Sequence, residues 1–360
     1  MAPQAQFASR RNGLVPVLRE SRANGFLITA LSNVRYLTGF TGSNGALLLT
    51  SGRALLFTDP RYQIQAGQES DCEVRIAKGP LLKEAASWVK RLGLKAVAIE
   101  RNRISFENYE QMKEYAGRIR LKPVAGAVEN LRMVKSPDEI ASIRASVILN
   151  SAALDRSLRH FKVSMTEMEL AADIEFQMRR LGAESTAFET IVASGKRTAL
   201  PHARASGDAI QRNELLLIDM GATVAGYASD MTRTYAVGRL DTKKRRMYRA
   251  VLDSQLAAVE AVKPGISCAT VDRAARGVLR GFGLDRLFIH STGHGLGLEI
   301  HERPRVGRKE RTKLQAGMII TIEPGVYEEG FGGIRIEDTI VVTSGGCEIL
   351  TPSKKELVAL

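Results

Sequence analysis

The chain is poor in cysteine, with only Cys72, Cys268 and Cys347 among 360 residues. An odd number of widely spaced cysteines argues against a disulfide framework and against a thiolate metal site, so we expect reduced, structural thiols. No apolar run approaches the roughly 18 residues of a membrane span. The first ten residues also lack the basic-then-apolar order of a signal peptide. The sequence therefore predicts a cytoplasmic protein without a membrane partner.

Acidic residues are fewer than basic ones, 39 against 52, which leaves a formal net charge of +13. Nucleic-acid binders share such a charge, but aromatic residues do not interleave with the basic ones here, and no nucleic-acid fold signature is present. The basic clusters at 243–246 and 303–313 are typical of solvated surface. We expect no nucleic-acid partner, although attraction of anionic peptides or acidic surfaces stays open.

The length allows two domains and a sizeable core, and a hydrophobic content of 44% excludes a disordered chain. Apolar runs at 25–31, 46–50, 54–58 and 95–100 predict strands, and helical periods cover 81–92 and 106–118. This pattern indicates an α/β domain over residues 1–131. A break at 131–137 then precedes a second domain, residues 132–360.

The second domain reads as α+β from its pattern alone. We predict helices over about 138–161, over 164–182 from a Ser164-x-x-Glu167 capping box, over 242–262, and over 267–281 with Ser267 as cap. Apolar runs ending at Asp219 and Glu323 predict strands between these helices.

Five residues of this domain could hold two divalent metal ions: Asp219, Asp230, His294, Glu323 and Glu337. A single acid at a strand end is usually solvated or caps a turn. Acids that repeatedly interrupt apolar strands are different, because a buried carboxylate needs a partner or a metal. Carboxylates with one imidazole suit Mn, Co, Zn or Fe(II). Two such ions about 3.5–4 Å apart can activate a shared water and polarise a carbonyl, so the pattern predicts amide hydrolysis.

Local patterns predict where these side chains lie. Asp219 and Asp230 fall on a predicted β-hairpin with glycines at its turn. Residues 333–343 read as one strand, in which the period of two places Arg335, Glu337 and Thr339 on one face. His294 stands within a glycine-rich segment, 293–297, whose backbone can approach a ligand closely.

The chain resembles the metallopeptidase family that includes Xaa-Pro aminopeptidases, prolidases, methionine aminopeptidases and creatinase. The resemblance rests on LIDMG at 217–221, SDMTR at 229–233, HSTGHGLGLEIHE at 290–302, TIEPGVY at 321–327 and GIRIED at 333–338. Residues 33–42 and 57–62 resemble the amino-terminal domain of the Xaa-Pro branch, so almost the whole chain is covered. The implied fold is a creatinase-like α/β domain followed by an α+β pita-bread catalytic domain.

The resemblance also implies roles for individual residues. Asp219 would chelate one metal, His294 and Glu323 would bind the other, and Asp230 and Glu337 would bridge both. Glu323 would in addition carry the proton from the attacking water to the leaving nitrogen.

Five further residues match positions that contact substrate or stabilise charge. His202 and His301 match histidines that hold substrate and stabilise the tetrahedral intermediate, and His290 matches a substrate contact. Arg335 and Tyr327 match a guanidinium and a phenol that support His301 and the bound peptide. Without these motifs, each lone histidine would more often be a hydrogen-bonded structural residue.

The resemblance implies an exopeptidase that uses a metal-bridging hydroxide to cut the Xaa-Pro bond of proline-containing peptides. We expect an Xaa-Pro aminopeptidase, with an Xaa-Pro dipeptidase (prolidase) as the alternative. A non-catalytic binding member would not need so costly a charge cluster. Creatinase-like chemistry does not use this ligand set, and methionine aminopeptidases typically lack the amino-terminal domain. The resemblance implies Mn(II) as the bound ion, with Co(II) or Zn(II) as alternatives. It also implies a homodimer.

Overall fold

A computed structural model describes residues 3–360 of the chain. The described chain divides into two compact units, the first ending at Arg132 and the second running from Met133 to Leu360. Within residues 3–360 no helix is both long enough and apolar enough to cross a membrane. All three cysteine thiols are free.

The first unit is an α/β domain. Its elements are α1 Pro3–Asn12, α2 Val15–Glu20, β1 Gly25–Ile28, α3 Leu31–Thr38, β2 Gly45–Thr50, β3 Ala54–Thr58, α4 Gln63–Glu69, β4 Glu73–Ile76, α5 Leu81–Arg91, β5 Ala96–Glu100, α6 Phe106–Ala116, β6 Arg120–Val124 and α7 Ala127–Met133. The strands form one sheet in the order β4-β3-β2-β1-β5-β6. Pairs β1–β5, β5–β6 and β3–β4 are parallel, whereas β1–β2 and β2–β3 are antiparallel. Apolar faces of β2, β3 and α5 supply its core.

The second unit alternates helix pairs with antiparallel strands. Its elements are α8 Pro137–His160, α9 Glu167–Arg180, β7 Ser185–Thr186, β8 Ile191–Ser194, β9 Glu214–Met220, β10 Ala222–Val224, β11 Tyr227–Ala228, β12 Met231–Val237, α10 Thr242–Glu260, α11 Cys268–Gly281, β13 Gly293–Gly295, β14 Glu302–Val306, β15 Ile319–Ile322, β16 Gly325–Glu328, β17 Gly332–Arg335, β18 Asp338–Val342 and β19 Cys347–Ile349.

Two sheets of this unit matter for the site. One has the strand order β12-β9-β8 and the other the order β14-β13-β15-β18-β19. Helices α8 and α9 share a core with β9 and β12, while α10 and α11 share a second core with β15 and β18. Each sheet therefore buries one face against its own helix pair.

Two local predictions differ from the structure. The capping box of α9 consists of Thr166 and Glu169, not Ser164 and Glu167. Glu167 is fully buried and accepts hydrogen bonds from the Ser194 backbone and from Arg197, which removes it from the cap. The predicted strand over 333–343 is also broken, because β17 ends at Arg335 and β18 begins at Asp338.

Candidate metal centre

The first sheet brings two of the candidate carboxylates together. In the antiparallel pair of β9 and β12, Asp219 lies opposite Thr232. Asp230 occupies the break between β11 and β12, directly before the strand that carries Thr232. The predicted hairpin is present, with the short strands β10 and β11 inserted between its arms. Asp219 and Asp230 therefore lie close together at one end of the sheet.

The second sheet supplies the other three candidate ligands. His294 is the middle residue of β13, Glu323 follows β15, and Glu337 precedes β18. The pairing of Ile322 with Asp338 places the last two acids at the same end of neighbouring antiparallel strands. The Glu323 backbone also donates to the Thr292 carbonyl at 2.7 Å, beside His294.

Hydrogen bonds join the two sheets at this end. The Glu337 backbone donates to the Thr232 carbonyl at 3.1 Å, and the Thr339 hydroxyl donates to the Asp230 carbonyl at 2.8 Å. One ligand atom from each of Asp230, His294 and Glu337 lies within 4.8 Å of the other two. The break before β18 makes this possible, since it turns Glu337 towards Thr232.

The tautomer of His294 is set by its own backbone. Nδ1 lies 3.0 Å from the Gly295 carbonyl, so this nitrogen carries the proton and donates. Nε2 is left with its lone pair, 3.5 Å from both Asp230 Oδ2 and Glu323 Oε1. Such an orientation is typical of a metal-binding histidine, whose second nitrogen is held by a carbonyl.

Burial and mutual repulsion perturb three of the carboxylates, although Arg335 lies close to them. Burial and the negative charges of Glu337 and Asp219 raise the pKa of Asp230 well above its usual range. Burial and the charges of Glu323 and Asp219 do the same for the pKa of Glu337. Burial raises the pKa of Glu323 to about 7, although Arg335 opposes this shift. Asp230, Glu323 and Glu337 would therefore take up protons unless cations neutralise them.

These residues fit divalent cations. Asp219 Oδ1 and Glu337 Oε1 are buried and have no hydrogen-bond partner among the described residues. Buried oxygens of this kind normally have a partner. Lone pairs from four carboxylates and one imidazole form a donor set that hard or borderline divalent ions accept.

A chain of hydrogen bonds connects Asp219 with His290. Arg335 donates to Asp219 Oδ2 at 2.6 Å and to the Tyr327 hydroxyl at 2.7 Å. Because His290 Nδ1 lies 2.8 Å from the Ser291 carbonyl, Nδ1 carries the proton, and Nε2 accepts from the Tyr327 hydroxyl at 2.9 Å. Burial lowers the pKa of His290 to about 4, which keeps the ring neutral near pH 7.

These hydrogen bonds give Tyr327 and Arg335 partners other than the one that the family resemblance implies. The resemblance assigned them to the support of His301, but their hydrogen bonds lead to His290 and Asp219. The ring of His301 instead packs edge-on against His294, with centroids 4.4 Å apart. Burial and the imidazoles of His294 and His202 lower the pKa of His301.

His202 lies on a loop at the same site. Its neighbour Pro201 accepts a hydrogen bond from Arg335 at 3.2 Å through its carbonyl. The charge of His202 contributes to the lowered pKa of both His290 and His301, after burial. The structure thus gathers all ten predicted site residues around one centre.

Two threonines that hold the ligands in place were not predicted from the sequence. The Thr232 hydroxyl donates to Glu337 Oε2 at 2.7 Å and accepts from Arg335 Nε at 3.0 Å. The Thr321 hydroxyl accepts from the His294 backbone at 3.1 Å and lies 3.4 Å from Glu323 Oε1. Thr232 lies two residues after Asp230, and Thr321 lies two residues before Glu323. This spacing of two along a strand could have identified both threonines as neighbours of the ligands.

Two buried ion pairs support the site from behind. Asp272 and Arg276 of α11 pair at 2.9 Å, and Asp272 accepts from Thr292 while Arg276 donates to the carbonyls of Phe288 and His290. No sequence signal pointed to this pair.

The second pair consists of Arg233 and Asp338, 2.7 Å apart and almost fully buried. Arg233 also donates to the carbonyls of Glu337, Ser353 and Lys354, so the carboxyl-terminal segment is part of the support.

Two glycines beside His294 are required by close packing. A Cβ on Gly293 would overlap the Thr321 carbonyl, and one on Gly295 would overlap the Arg303 carbonyl. Only glycine allows β13 to lie this close to both neighbouring strands.

Comparisons with known proteins agree with this geometry. Residues 141–344 match Metallopeptidase family M24, and residues 10–134 match the Creatinase/Prolidase N-terminal domain. The chain belongs to metallopeptidase family M24. Its catalytic unit has the pita-bread fold, and the protein is a metal-dependent hydrolase.

Similar proteins cover nearly the whole chain. An Xaa-Pro dipeptidase of Pyrococcus horikoshii is 36% identical over 346 residues, which span 96% of this chain and 97% of that protein. The solved structure of an Xaa-Pro dipeptidase from Bacillus anthracis has a TM-score of 0.96 at 38% identity, covering 98% of this chain and 100% of its own. That of an X-Pro aminopeptidase from Thermotoga maritima has a TM-score of 0.89 at 36% identity, covering 95% and 99%.

Proposed function

We propose that this peptidase is an Xaa-Pro dipeptidase, or prolidase, which hydrolyses dipeptides whose second residue is proline. The sequence had favoured an aminopeptidase acting on longer chains. Relatives named as dipeptidases support the revised choice, although one similar structure is named as an aminopeptidase. The deciding observation is that the exposed Arg305 lies opposite His294 on the neighbouring strand.

Two divalent ions would be held by Asp219, Asp230, His294, Glu323 and Glu337. When bound, such ions lower the pKa of water and polarise a carbonyl oxygen. The two unpartnered oxygens, on Asp219 and Glu337, support this assignment. Manganese is our choice among the ions, by family habit, and each candidate ion needs a separate test.

Glu323 moves the proton in this proposal. The water oxygen attacks the carbonyl carbon of the Xaa-Pro bond, and Glu323 accepts the proton that the water loses. Glu323 then delivers this proton to the proline nitrogen as the carbon–nitrogen bond breaks. Its only hydrogen bond from another side chain among the described residues, from Thr321, is long at 3.4 Å, so an oxygen remains available.

The histidines and Tyr327 surround the reacting bond in this proposal. His301 and His202 donate to the oxygen that gains negative charge, a contribution that matters most in the transition state. The neutral ring of His290, which Tyr327 holds in place, is our proposed packing surface for the proline.

A dipeptidase needs a cation to bind the carboxylate of its substrate. Arg335 is unsuited to this role, because it is buried and already bound to Asp219 and Tyr327. Arg305 is exposed and is the cross-strand partner of His294. Directly opposed residues of an antiparallel pair project from the same face. Arg305 therefore projects from the face that carries His294. Its Nε donates to Ser291 Oγ at 2.9 Å, and its two terminal nitrogens can bind a carboxylate.

Matched substrates test the proposal. We expect the protein, stripped and reloaded with one divalent metal at a time, to cleave Xaa-Pro at least about 100-fold more efficiently than Xaa-Pro-Xaa-Xaa, measured as kcat/KM. Arg305→Gln should raise KM for Xaa-Pro and leave the rate with the Xaa-Pro amide unchanged, whereas Arg159→Gln should alter neither. Equal or better cleavage of the longer peptide would return the aminopeptidase to first place.

A further inference from the structure

The open face of β14 carries more positive charge than one carboxylate requires. Arg303 and Arg305 are exposed, whereas Pro304 and Val306, which alternate with them, are buried. Arg305 lies directly opposite His294, and Arg303 is an exposed residue of the irregular stretch where the register between β13 and β14 shifts.

The segment after β14 extends this positive surface. Arg308, Lys309, Arg311 and Lys313 are exposed and form no ion pair within residues 3–360. Their backbone is fixed, because Glu310 and Thr312 accept hydrogen bonds from the first residues of α11. We call these six cations the basic rim: Arg303, Arg305, Arg308, Lys309, Arg311 and Lys313.

Few acids offset the basic rim locally. Glu302 is paired with buried Lys135, and Glu310 interacts with Thr312 and with the charge of Arg303. Six cations and two acids leave a formal charge of +4 over residues 302–313. A solvated surface usually mixes both signs, so this excess calls for an anionic partner.

We propose that the basic rim makes the enzyme selective for substrates of net negative charge, namely dipeptides with aspartate or glutamate ahead of proline. This inference rests on the proposed function and specifies its substrate class. A dipeptide with an uncharged side chain is neutral overall, since its amine and carboxylate cancel. An acidic side chain adds one negative charge, which the rim attracts.

The size of the effect follows from Coulomb's law. If four net charges act at about 10 Å from a single negative charge in water, they favour its binding by roughly sevenfold at 0.01 M salt. At 0.3 M salt, screening reduces this preference to less than about twofold.

Glu-Pro and Gln-Pro provide the test, because they have nearly the same shape and differ by one charge. We expect kcat/KM for Glu-Pro to exceed that for Gln-Pro about sevenfold at low salt, and the ratio to fall towards one at 0.3 M. In the double variant Arg308→Glu/Arg311→Glu, which cancels the four net charges, the ratio should fall to about one at low salt.

A control variant separates the rim from the overall charge. Arg156→Glu/Arg159→Glu changes the net charge of +13 by the same amount. These residues lie at the far end of α8, a helix of 24 residues and thus about 36 Å long. Its near end follows Lys135, which pairs with Glu302. The control should keep the wild-type ratio.

The outcomes are distinct. A ratio near one at low salt, a ratio independent of salt, or equal effects of the rim and control variants would each overturn the proposal. If dipeptides resist cleavage, the same ratio is measured on longer peptides that begin with Glu-Pro or Gln-Pro. That measurement tests the charge selectivity of the basic rim separately from the dipeptidase assignment. If the charge-reversed protein fails to fold, the variant Arg308→Gln/Arg311→Gln replaces it. This variant removes two charges instead of four, so the logarithm of the Glu-Pro to Gln-Pro ratio should fall by about half as much.

Discussion

Arg335 and Asp219 form a partly buried ion pair with a nitrogen–oxygen distance of 2.6 Å. The pair neutralises one carboxylate of the ligand set and leaves its second oxygen, Oδ1, without a partner. Through Tyr327, the same guanidinium also fixes the ring of His290. Arg335 therefore links the proposed metal ligands to the proposed substrate contacts.

We expect Arg335→Ala to lower kcat about 100-fold while metal content stays near that of the wild type. The carboxylates keep their charge in this variant, but Tyr327 and His290 lose their support. Metal analysis after dialysis and steady-state kinetics together provide the measurement. Loss of the metal would instead show that Arg335 mainly shapes the ligand set.

Glu323→Gln should reduce kcat by about 10²- to 10⁴-fold and affect metal binding much less. An amide oxygen can still coordinate a metal, but it cannot accept a proton from water. Parallel assays of turnover and bound metal will check this. A kcat close to the wild-type value would remove Glu323 from its role as proton carrier.

Asp230→Ala and Glu337→Ala should each cost both metal ions, because each carboxylate is proposed to bridge the two. Asp219→Ala is the matched comparison, since a terminal ligand should cost mainly one ion. Metal content per chain after dialysis distinguishes these results. Loss of a single equivalent from both bridging variants would indicate terminal coordination.

The metal-free protein should lose stability as the pH rises from about 6.5 through the raised pKa values of its buried carboxyl groups. In this window the unfolded carboxyl groups are ionised, but the raised pKa values of Asp230 and Glu337 keep protons on the folded protein. Folding then takes up protons, so the free energy of unfolding falls with pH. The lowered pKa values of His290 and His301 act below about pH 6.5 and do not interfere.

Calorimetry of the metal-free and metal-loaded protein across this pH range tests this expectation. Added metal should raise Tm more at the upper end of the range than at about pH 6.5, because bound cations replace the protons. The variant Asp230→Asn/Glu337→Gln should lose most of the pH dependence in the metal-free state. A metal-free Tm that rises with pH would contradict the inferred burial of charge.

Local patterns predicted much of the fold. The strands at 46–50 and 54–58 and the helix capped by Ser267 follow from periodicity and capping chemistry, which act within a few residues. The Ser164 capping box failed because Thr166 and Glu169 offer the same pattern two residues later. Only the tertiary role of Glu167, which binds the Ser194 backbone, decides between them.

In the site, too, local patterns were predictable and tertiary contacts were not. Its ligands were recognisable because acids interrupt apolar strands, and family motifs added the histidines. The supporting role of Asp272 and Arg276 could not be recognised from the sequence, because both lie on an ordinary amphipathic helix. Asp272 meets Thr292 only in the folded protein. The break at Glu337 was missed because it depends on the hydrogen bond to Thr232 in another sheet.

The hydrogen bonds from Arg233 to Ser353 and Lys354 have a practical consequence for handling the protein. The last residues of the chain brace the strand beside Glu337, so a protease that trims this end would inactivate the enzyme without touching a ligand. An affinity tag is better attached to the amino terminus, and any preparation that loses activity on storage should be checked first for its intact carboxyl-terminal mass.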